Sequence, residues 1–113
     1  MAPDPHANTA LVVLITAPSE EVARALAGEL VGRRLAACVN LLPGVTSIYR
    51  WEGALEESDE VLLIVKTTAP LVREIEAALA DLHPYEVPEC VALEPAAVEA
   101  RYLSWLRSEV APK

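Results

Sequence analysis

Short apolar stretches with the character of β-strands alternate along the chain with segments that have a helical period. Two of these stretches, Leu11–Ile15 and Val61–Val65, are apolar at every position. A strand that is apolar on both faces belongs to the interior of a sheet that is covered on both sides. The chain is therefore predicted to build layers of helices and strands around two central strands.

Three segments carry apolar residues at helical spacing. The first, Ser19–Arg33, begins with an N-cap hydroxyl followed by two glutamates, and Gly32 near its end is a typical stop signal. The second starts at Pro70, which suits a first helical turn, and continues to Leu82, before His83-Pro84. The third, at the C-terminus, has one apolar stripe made of Val98, Tyr102, Trp105 and Leu106.

A long strand is predicted from Ala37 to Trp51, with an interruption at Pro43-Gly44. Because proline lacks an amide donor, this interruption predicts a bulge or an exposed edge. Beyond it, Tyr49 and Trp51 share one face of the strand with Val45 and Ser47. The acidic segment Glu52–Glu60 is predicted to be a solvated hairpin tip, from which the chain returns along the central strand that ends at Thr67.

A fourth strand is predicted over Val87–Leu93, with Pro88 tolerated near its start or at an edge. The element order is then βαββαβ with an extra C-terminal helix. This order is typical of the α+β ferredoxin-like sandwich, in which the antiparallel sheet has the strand order four, one, three, two. The length of 113 residues fits one domain, predicted over residues 10–113 behind a flexible leader at residues 1–9. The long bent edge strand predicts pairing with further copies of the chain.

The charge balance argues against two classes of partner. Nine Lys and Arg against 17 Asp and Glu give a net charge of −8, which repels phosphate backbones and anionic lipid headgroups. The longest apolar run, Ala10–Ile15, is far shorter than the roughly 20 residues of a membrane span. The central strand Val61–Val65 also lacks the aromatic residues on which RNA-binding sheets stack bases. We expect neither a nucleic-acid partner nor a membrane partner.

The two cysteines, Cys38 and Cys90, are predicted to lie on opposite edges of the sheet, too far apart for a disulfide. They are expected to be independent buried thiols. Two cysteines are also too few for a secreted disulfide framework at this length, so a reducing cytoplasm is the predicted location.

Few chemically capable side chains remain once the core is assigned, and no phosphate-loop, dinucleotide, zincin or hydrolase motif occurs. His83 and Tyr85 lie in a segment whose prolines hold it extended, so His83 either complements the end of the second helix or contacts a ligand. Lys66 ends an apolar strand, where it either reaches solvent or meets an anionic group. Trp51 could stack on a ligand, although a subunit interface is the commoner use of such a residue. Glu89 completes the set of candidate site residues.

Five motifs, in this order, are similar to those of the CutA divalent-cation-tolerance proteins: Ala36–Asn40, Ser47–Gly53, Lys66-Thr67, His83–Glu89 and Tyr102–Leu106. The resemblance extends from Leu11 to Leu106. It implies a ferredoxin-like fold assembled as a homotrimer through its long hairpins, and a non-enzymatic role in tolerance of, or response to, copper and other divalent cations. It also implies a cleft between subunits that binds a metal ion or a small signalling ligand, lined by Lys66, His83, Tyr85, Glu89 and Trp51.

The metal assignment carries over to a single residue. In family members described as binding copper, a cysteine late in the first strand joins two adjacent histidines that precede Pro-Tyr. Here Ile15 or its neighbours occupy the cysteine position and the pair is Leu82-His83, so only His83 is implied as a ligand of Cu(II) or another divalent cation. The metal would be a ligand, and no cofactor is required.

The alternative function is that of a small ferredoxin-like enzyme. In that reading His83 and Lys66 would carry acid–base or phosphate chemistry. The sequence offers no nucleophile with a paired base, so the leading hypothesis is a protein that is not an enzyme.

Overall fold

The computed structural model describes residues 9–112, which form four strands, three α-helices and one short 3₁₀ helix. In chain order these are β1 (Ala10–Ala17), α1 (Glu20–Gly32), β2 (Cys38–Trp51), β3 (Ala54–Thr68), the 3₁₀ helix (Ala69–Leu71), α2 (Val72–Leu82), β4 (Val91–Leu93) and α3 (Ala100–Glu109). The sheet has the order β2-β3-β1-β4 and every pair is antiparallel. This confirms the predicted α+β class and strand order. Of the predicted leader, residues 1–8 lie outside the described residues.

One face of β1 and β3 forms the floor of the hydrophobic core. Val13 lies opposite Val65, and Ile15 lies opposite Leu63, and all four side chains are fully buried. Helices α1 and α2 cover this face with Leu26, Leu30, Ile75 and Leu79. Full burial of a large aliphatic side chain contributes about 1.5–3 kcal/mol, so this layer is a main source of the stability of the fold.

The opposite face of the sheet is less well covered than the sequence predicts. The register places Val12 opposite Leu93 and Leu14 opposite Val91, and both β4 side chains are nearly half exposed. Leu42 of β2 is also exposed on this face. β1 and β3 are apolar on both faces, as predicted, but α1 and α2 of this chain cover only one face of the sheet.

A β-bulge lies in β2 where Pro43-Gly44 was predicted to interrupt the strand. The ladder passes from Leu42 opposite Leu62 to Val45 opposite Glu60, so β2 uses one more residue than β3. Gly44 has φ +80°, a conformation that costs little only for glycine. Because side chains alternate between the two faces of a strand, the extra residue moves every later side chain of β2 to the opposite face of the sheet.

Two predicted boundaries are wrong. The acidic segment is not a long loop, because the turn consists of Glu52-Gly53 alone, both with positive φ, and β3 begins at Ala54. Its acidic side chains are tolerated in a strand because nearly all of them are exposed to solvent. The fourth strand has three residues, since Pro88 and its neighbours make no ladder. The second helix begins as predicted, since Pro70 lies in its first turn, and this turn is the 3₁₀ helix that continues into α2.

Both cysteines are free, as predicted, but they are half-buried and not fully enclosed. Cys38 opens β2, while Cys90 directly precedes β4. Since β2 and β4 are the two edges of the sheet, the thiols lie on opposite sides of the molecule. None of the helices in residues 9–112 is long and apolar enough to cross a membrane.

Helix α1 ends in a Schellman turn whose left-handed residue is an arginine. The amide of Leu35 donates to the carbonyl of Leu30, that of Arg34 donates to Val31, and Arg34 has φ +59°. Glycine is the usual residue at such a position, and Gly32 lies two residues too early to occupy it. The Arg34 guanidinium instead donates to the carbonyls of Ser108, Glu109 and Val110, the free carbonyl groups at the end of α3.

We predict that Arg34→Ala lowers the free energy of unfolding by about 1–3 kcal/mol, because charged hydrogen bonds to three carbonyl groups are lost. Arg34→Gly loses the same bonds but relieves the left-handed strain, so it should be more stable than Arg34→Ala by about 1 kcal/mol. Urea unfolding at one fixed protein concentration measures both values. Equal stability of the alanine variant and the parent protein would contradict the role of the guanidinium.

Candidate functional site

An open cavity of about 450 Å³ lies between the β2–β3 hairpin and the segment that follows α2. Three aromatic and three acidic residues dominate its lining: Tyr49, Trp51, Tyr85, Glu60, Glu86 and Glu89. Thr16, Pro84 and Val87 complete the wall. This aromatic cavity has the size of a typical small-molecule site. A larger groove of about 720 Å³ runs along α1 beside Gly28 and Gly32, and it contains none of the predicted site residues.

The bulge in β2 decides which hairpin residues line the aromatic cavity. After the bulge, Tyr49 lies opposite Glu56, and Val45 lies opposite Glu60, so Tyr49 and Trp51 share a face with Glu60. The Tyr49 hydroxyl is hydrogen-bonded to Ser58 Oγ at 2.8 Å, which fixes its ring along the hairpin. Without the extra residue, Ile48 and Arg50 would occupy this face.

His83 holds the far wall of the cavity in place. The amide of Tyr85 donates to His83 Nδ1 at 3.0 Å, so Nδ1 is unprotonated and the ring proton is on Nε2, which donates to the Thr16 carbonyl at 2.7 Å. The ring is only 7% exposed and contacts the Tyr85 ring, with the centroids 4.7 Å apart. His83 is the C-cap residue of α2, but its side chain ties the following segment to β1.

This arrangement engages both ring nitrogens of His83. A metal ion could bind the ring only if one of the two hydrogen bonds were released. Among residues 9–112, no group of three or more His, Cys, Asp or Glu side chains is arranged to hold a metal ion. That His83 ligates Cu(II) stays a prediction.

Tyr85 and Glu60 form the polar centre of the aromatic cavity. The Tyr85 hydroxyl donates to Glu60 Oε2 at 2.8 Å, and the Glu60 side chain is almost completely buried. Burial, together with the hydrogen bond to Glu60 and its negative charge, raises the pKa of Tyr85 to about 12. Burial and the charge of Glu60 also raise the pKa of Glu89. Because its described lining contains three carboxylates and no basic residue, the cavity carries a negative potential.

Lys66 does not line the aromatic cavity of the single chain, and its place in a cleft between subunits stays a prediction. It lies opposite Val12 and Cys38, four positions along β3 from Leu62, the residue that pairs with Thr16. Its ammonium group donates a hydrogen bond to the side chain of Asn40. Since Lys66 and His83 do not meet, the geometry provides no support for the enzyme in which they share acid–base chemistry.

The structure thus brings Trp51, Tyr85 and Glu89 together in the lining of the aromatic cavity. His83 holds the segment that carries Tyr85 in place through its two hydrogen bonds. Sequence reasoning missed Glu60 as a site residue, because it was assigned to the solvated acidic segment. The available signal was its position: Glu60 directly precedes the apolar stretch that begins at Val61, where a charged side chain enters the buried part of the sheet.

We predict that Tyr85 ionises at about pH 12 in an absorbance titration of tyrosinate, and that this step is absent from Tyr85→Phe. Below about pH 10 the residue is protonated in both the folded and the unfolded chain. Between about pH 10 and pH 12 the unfolded chain loses the proton and the folded chain keeps it, so stability falls as pH rises. Glu60→Gln should lower the pKa of Tyr85, and an unchanged titration in that variant would contradict the contact.

Known proteins resemble this chain in sequence and in fold over nearly all of the described residues. The model of the family described as CutA1 divalent ion tolerance protein matches residues 11–109. The divalent-cation tolerance protein CutA of Thermus thermophilus is 57% identical over 96 residues, which cover 85% of this chain and 93% of the relative.

Two solved structures show the same architecture. CutA1 from Oryza sativa superposes with a TM-score of 0.90 at 37% identity, covering 94% of this chain and 99% of that one. The periplasmic divalent cation tolerance protein CutA from Archaeoglobus fulgidus superposes with a TM-score of 0.87 at 33% identity, covering 90% and 99%. From the match of its sequence and its fold, the chain belongs to the CutA1 divalent ion tolerance protein family.

Proposed function

We propose that the protein acts in divalent-cation tolerance as a non-enzymatic homotrimer that binds a cationic ligand in the aromatic cavity, at the boundary between subunits. The observation that carries this proposal is the position of the cavity. It opens beside a hairpin that projects beyond the helices and exposes large apolar side chains. The names of the relatives refer to divalent-cation tolerance, and this supports the proposal that the binding serves that process.

Exposed apolar side chains support the assembly. Ile48 and Leu55 on the hairpin are 65% and 73% exposed, and Leu42, Val91 and Leu93 are exposed on the open face of the sheet. Apolar surface of this extent is typical of surfaces that are covered by a partner. A second copy would bury it, and the trimer implied by the five motifs gives each subunit two such neighbours.

Binding fits the chemistry of the cavity better than catalysis does. A general acid or base works best when its pKa lies near the working pH, but the pKa of Tyr85 is about 12. Both nitrogens of His83 are committed to backbone groups, and its ring is buried. Tyr85 and His83 are therefore suited to hold a ligand or to support its site, and not to transfer a proton.

The cytoplasm is the compartment that we propose. Cys38 and Cys90 carry free thiols on opposite edges of the sheet, which suits a reducing environment.

Native mass spectrometry tests the trimer. We expect a species of three chains, each of 12.2 kDa, and we expect Ile48→Glu to shift it toward monomer because a charge enters the apolar hairpin surface. Val31→Glu places the same charge at an exposed apolar position on α1, away from the hairpin, so it is the matched control and should leave the trimer intact. A monomer in the parent protein would overturn the proposed assembly.

The same spectra with one equivalent of Cu(II) or Zn(II) per chain test the metal prediction for His83. If His83 is a ligand, the trimer takes up integral metal and His83→Ala loses it. Equal uptake by the variant would exclude His83, and it would direct attention to the carboxylates of the cavity.

A further inference from the structure

Glu60 is a nearly buried carboxylate that lacks a cationic partner. It is only 8% exposed, and its hydrogen-bond partner among the described residues is the neutral Tyr85 hydroxyl. No basic side chain of residues 9–112 forms an ion pair with it. Removal of a carboxylate from water is costly unless an opposite charge or several donors compensate it. The second oxygen of Glu60 therefore provides an acceptor for a cation in the cavity.

The surroundings of Glu60 favour one kind of cation. The faces of Tyr49, Trp51 and Tyr85 can attract a positive charge through their π-systems, and their apolar area can pack against hydrocarbon. None of the described residues that line the cavity is basic. Glu86 and Glu89 add two further carboxylates to the lining, and burial together with the negative charge of Glu60 raises the pKa of Glu89.

A bare divalent ion uses such a cavity poorly. Mg²⁺ and Ca²⁺ need several oxygen ligands at short, defined distances, and Cu(II) and Zn(II) prefer imidazole or thiolate. The three carboxylates of the cavity are not arranged to hold a metal ion together, and the volume of about 450 Å³ fits a small organic molecule. A neutral ligand would leave Glu60 unpaired, and an anion would be repelled.

We propose that the aromatic cavity binds an organic ammonium ion, whose ammonium group pairs with Glu60 and whose hydrocarbon part packs on Tyr49, Trp51 and Tyr85. A linear aliphatic diamine suits the site best, because its second ammonium group meets Glu86 or Glu89. This inference rests on the proposed ligand-binding function of the cavity. It adds the chemical class of the ligand.

Calorimetric titration with three matched probes tests the class. Putrescine carries two ammonium groups, 1,4-butanediol has the same length without charge, and Mg²⁺ has the same charge without hydrocarbon. We expect putrescine to bind with one site per chain and the other two to show no saturable binding. Equal binding of butanediol, or stoichiometric displacement of putrescine by Mg²⁺ at equal ionic strength, would overturn the proposal.

Variants locate the binding site. Glu60→Gln should weaken putrescine binding by about tenfold or more, the loss expected for one charged contact. Glu57→Gln makes the same change at an exposed position on the same strand outside the cavity, so it should bind as the parent does. Equal affinities of the two variants would contradict a role for Glu60.

Tryptophan fluorescence provides a second test of binding at the cavity, one that does not depend on the Glu60 variant. The chain has two tryptophans, so Trp105→Phe leaves Trp51 as the sole reporter at the cavity. Putrescine should change the Trp51 emission, and Trp51→Leu should weaken binding several-fold through loss of the cation–π contact. Saturable binding with no change in Trp51 emission would place the ligand elsewhere and would overturn the proposal.

Failure of this inference can be told apart from failure of the proposed function. A trimer that binds no ammonium probe refutes the ligand class and leaves the assembly intact. A monomer that binds putrescine refutes the assembly and supports the ligand class. Dissociation of the trimer by Glu60→Gln but not by Glu57→Gln would show that Glu60 pairs with a cation of a partner subunit, and it would overturn the proposal.

Discussion

The architecture depends on one strand that takes part in two ladders of unequal length. β3 pairs with β1 over eight positions, from Val61 to Thr68, and it pairs with β2 over a longer range, from Ala54 to Lys66. The helices cover only the part shared with β1, where alternate side chains of β3 are fully buried. The remainder of β3 has no third strand beside it, so the β2–β3 hairpin projects and the described residues span 49 Å in one direction against 27 and 26 Å in the others. The exposed apolar hairpin surface follows directly from this mismatch.

The candidate site forms where the covered part of β3 meets the projecting part. Glu60 lies at this junction, and the chain after α2 passes over it because His83 ties that segment to the Thr16 carbonyl of β1. Tyr85 can then reach Glu60, and the aromatic residues of the hairpin close the other side. His83 thus has a positioning role, although its chemistry first suggests a ligand. The result is a concave, aromatic and negatively charged surface at the base of the hairpin.

Much of this could be predicted from local patterns, and the failures share one cause. Ser19 caps α1, and Pro43-Gly44 marks the bulge, because each acts on its own backbone within a few residues. The surroundings of Lys66 and Glu60 could not be predicted in this way, because both residues lie on β3, six residues apart, and their neighbours come from other elements. Lys66 meets Asn40 of β2, while Glu60 meets Tyr85 from the segment after α2. No pattern within β3 distinguishes those two environments.

Hydrophobic period, caps and prolines are local properties of the chain, so the elements, their order in the sheet and the extended His83–Glu89 segment could be predicted from the sequence. Which side chains share a cavity depends on how these elements pack in three dimensions. The one-residue bulge turns Tyr49 and Trp51 toward Glu60, and the buried bond between His83 and Thr16 brings Tyr85 to the same carboxylate. The physical reason is that a site is defined by distances between elements remote in sequence, which packing of the core sets and local propensity does not.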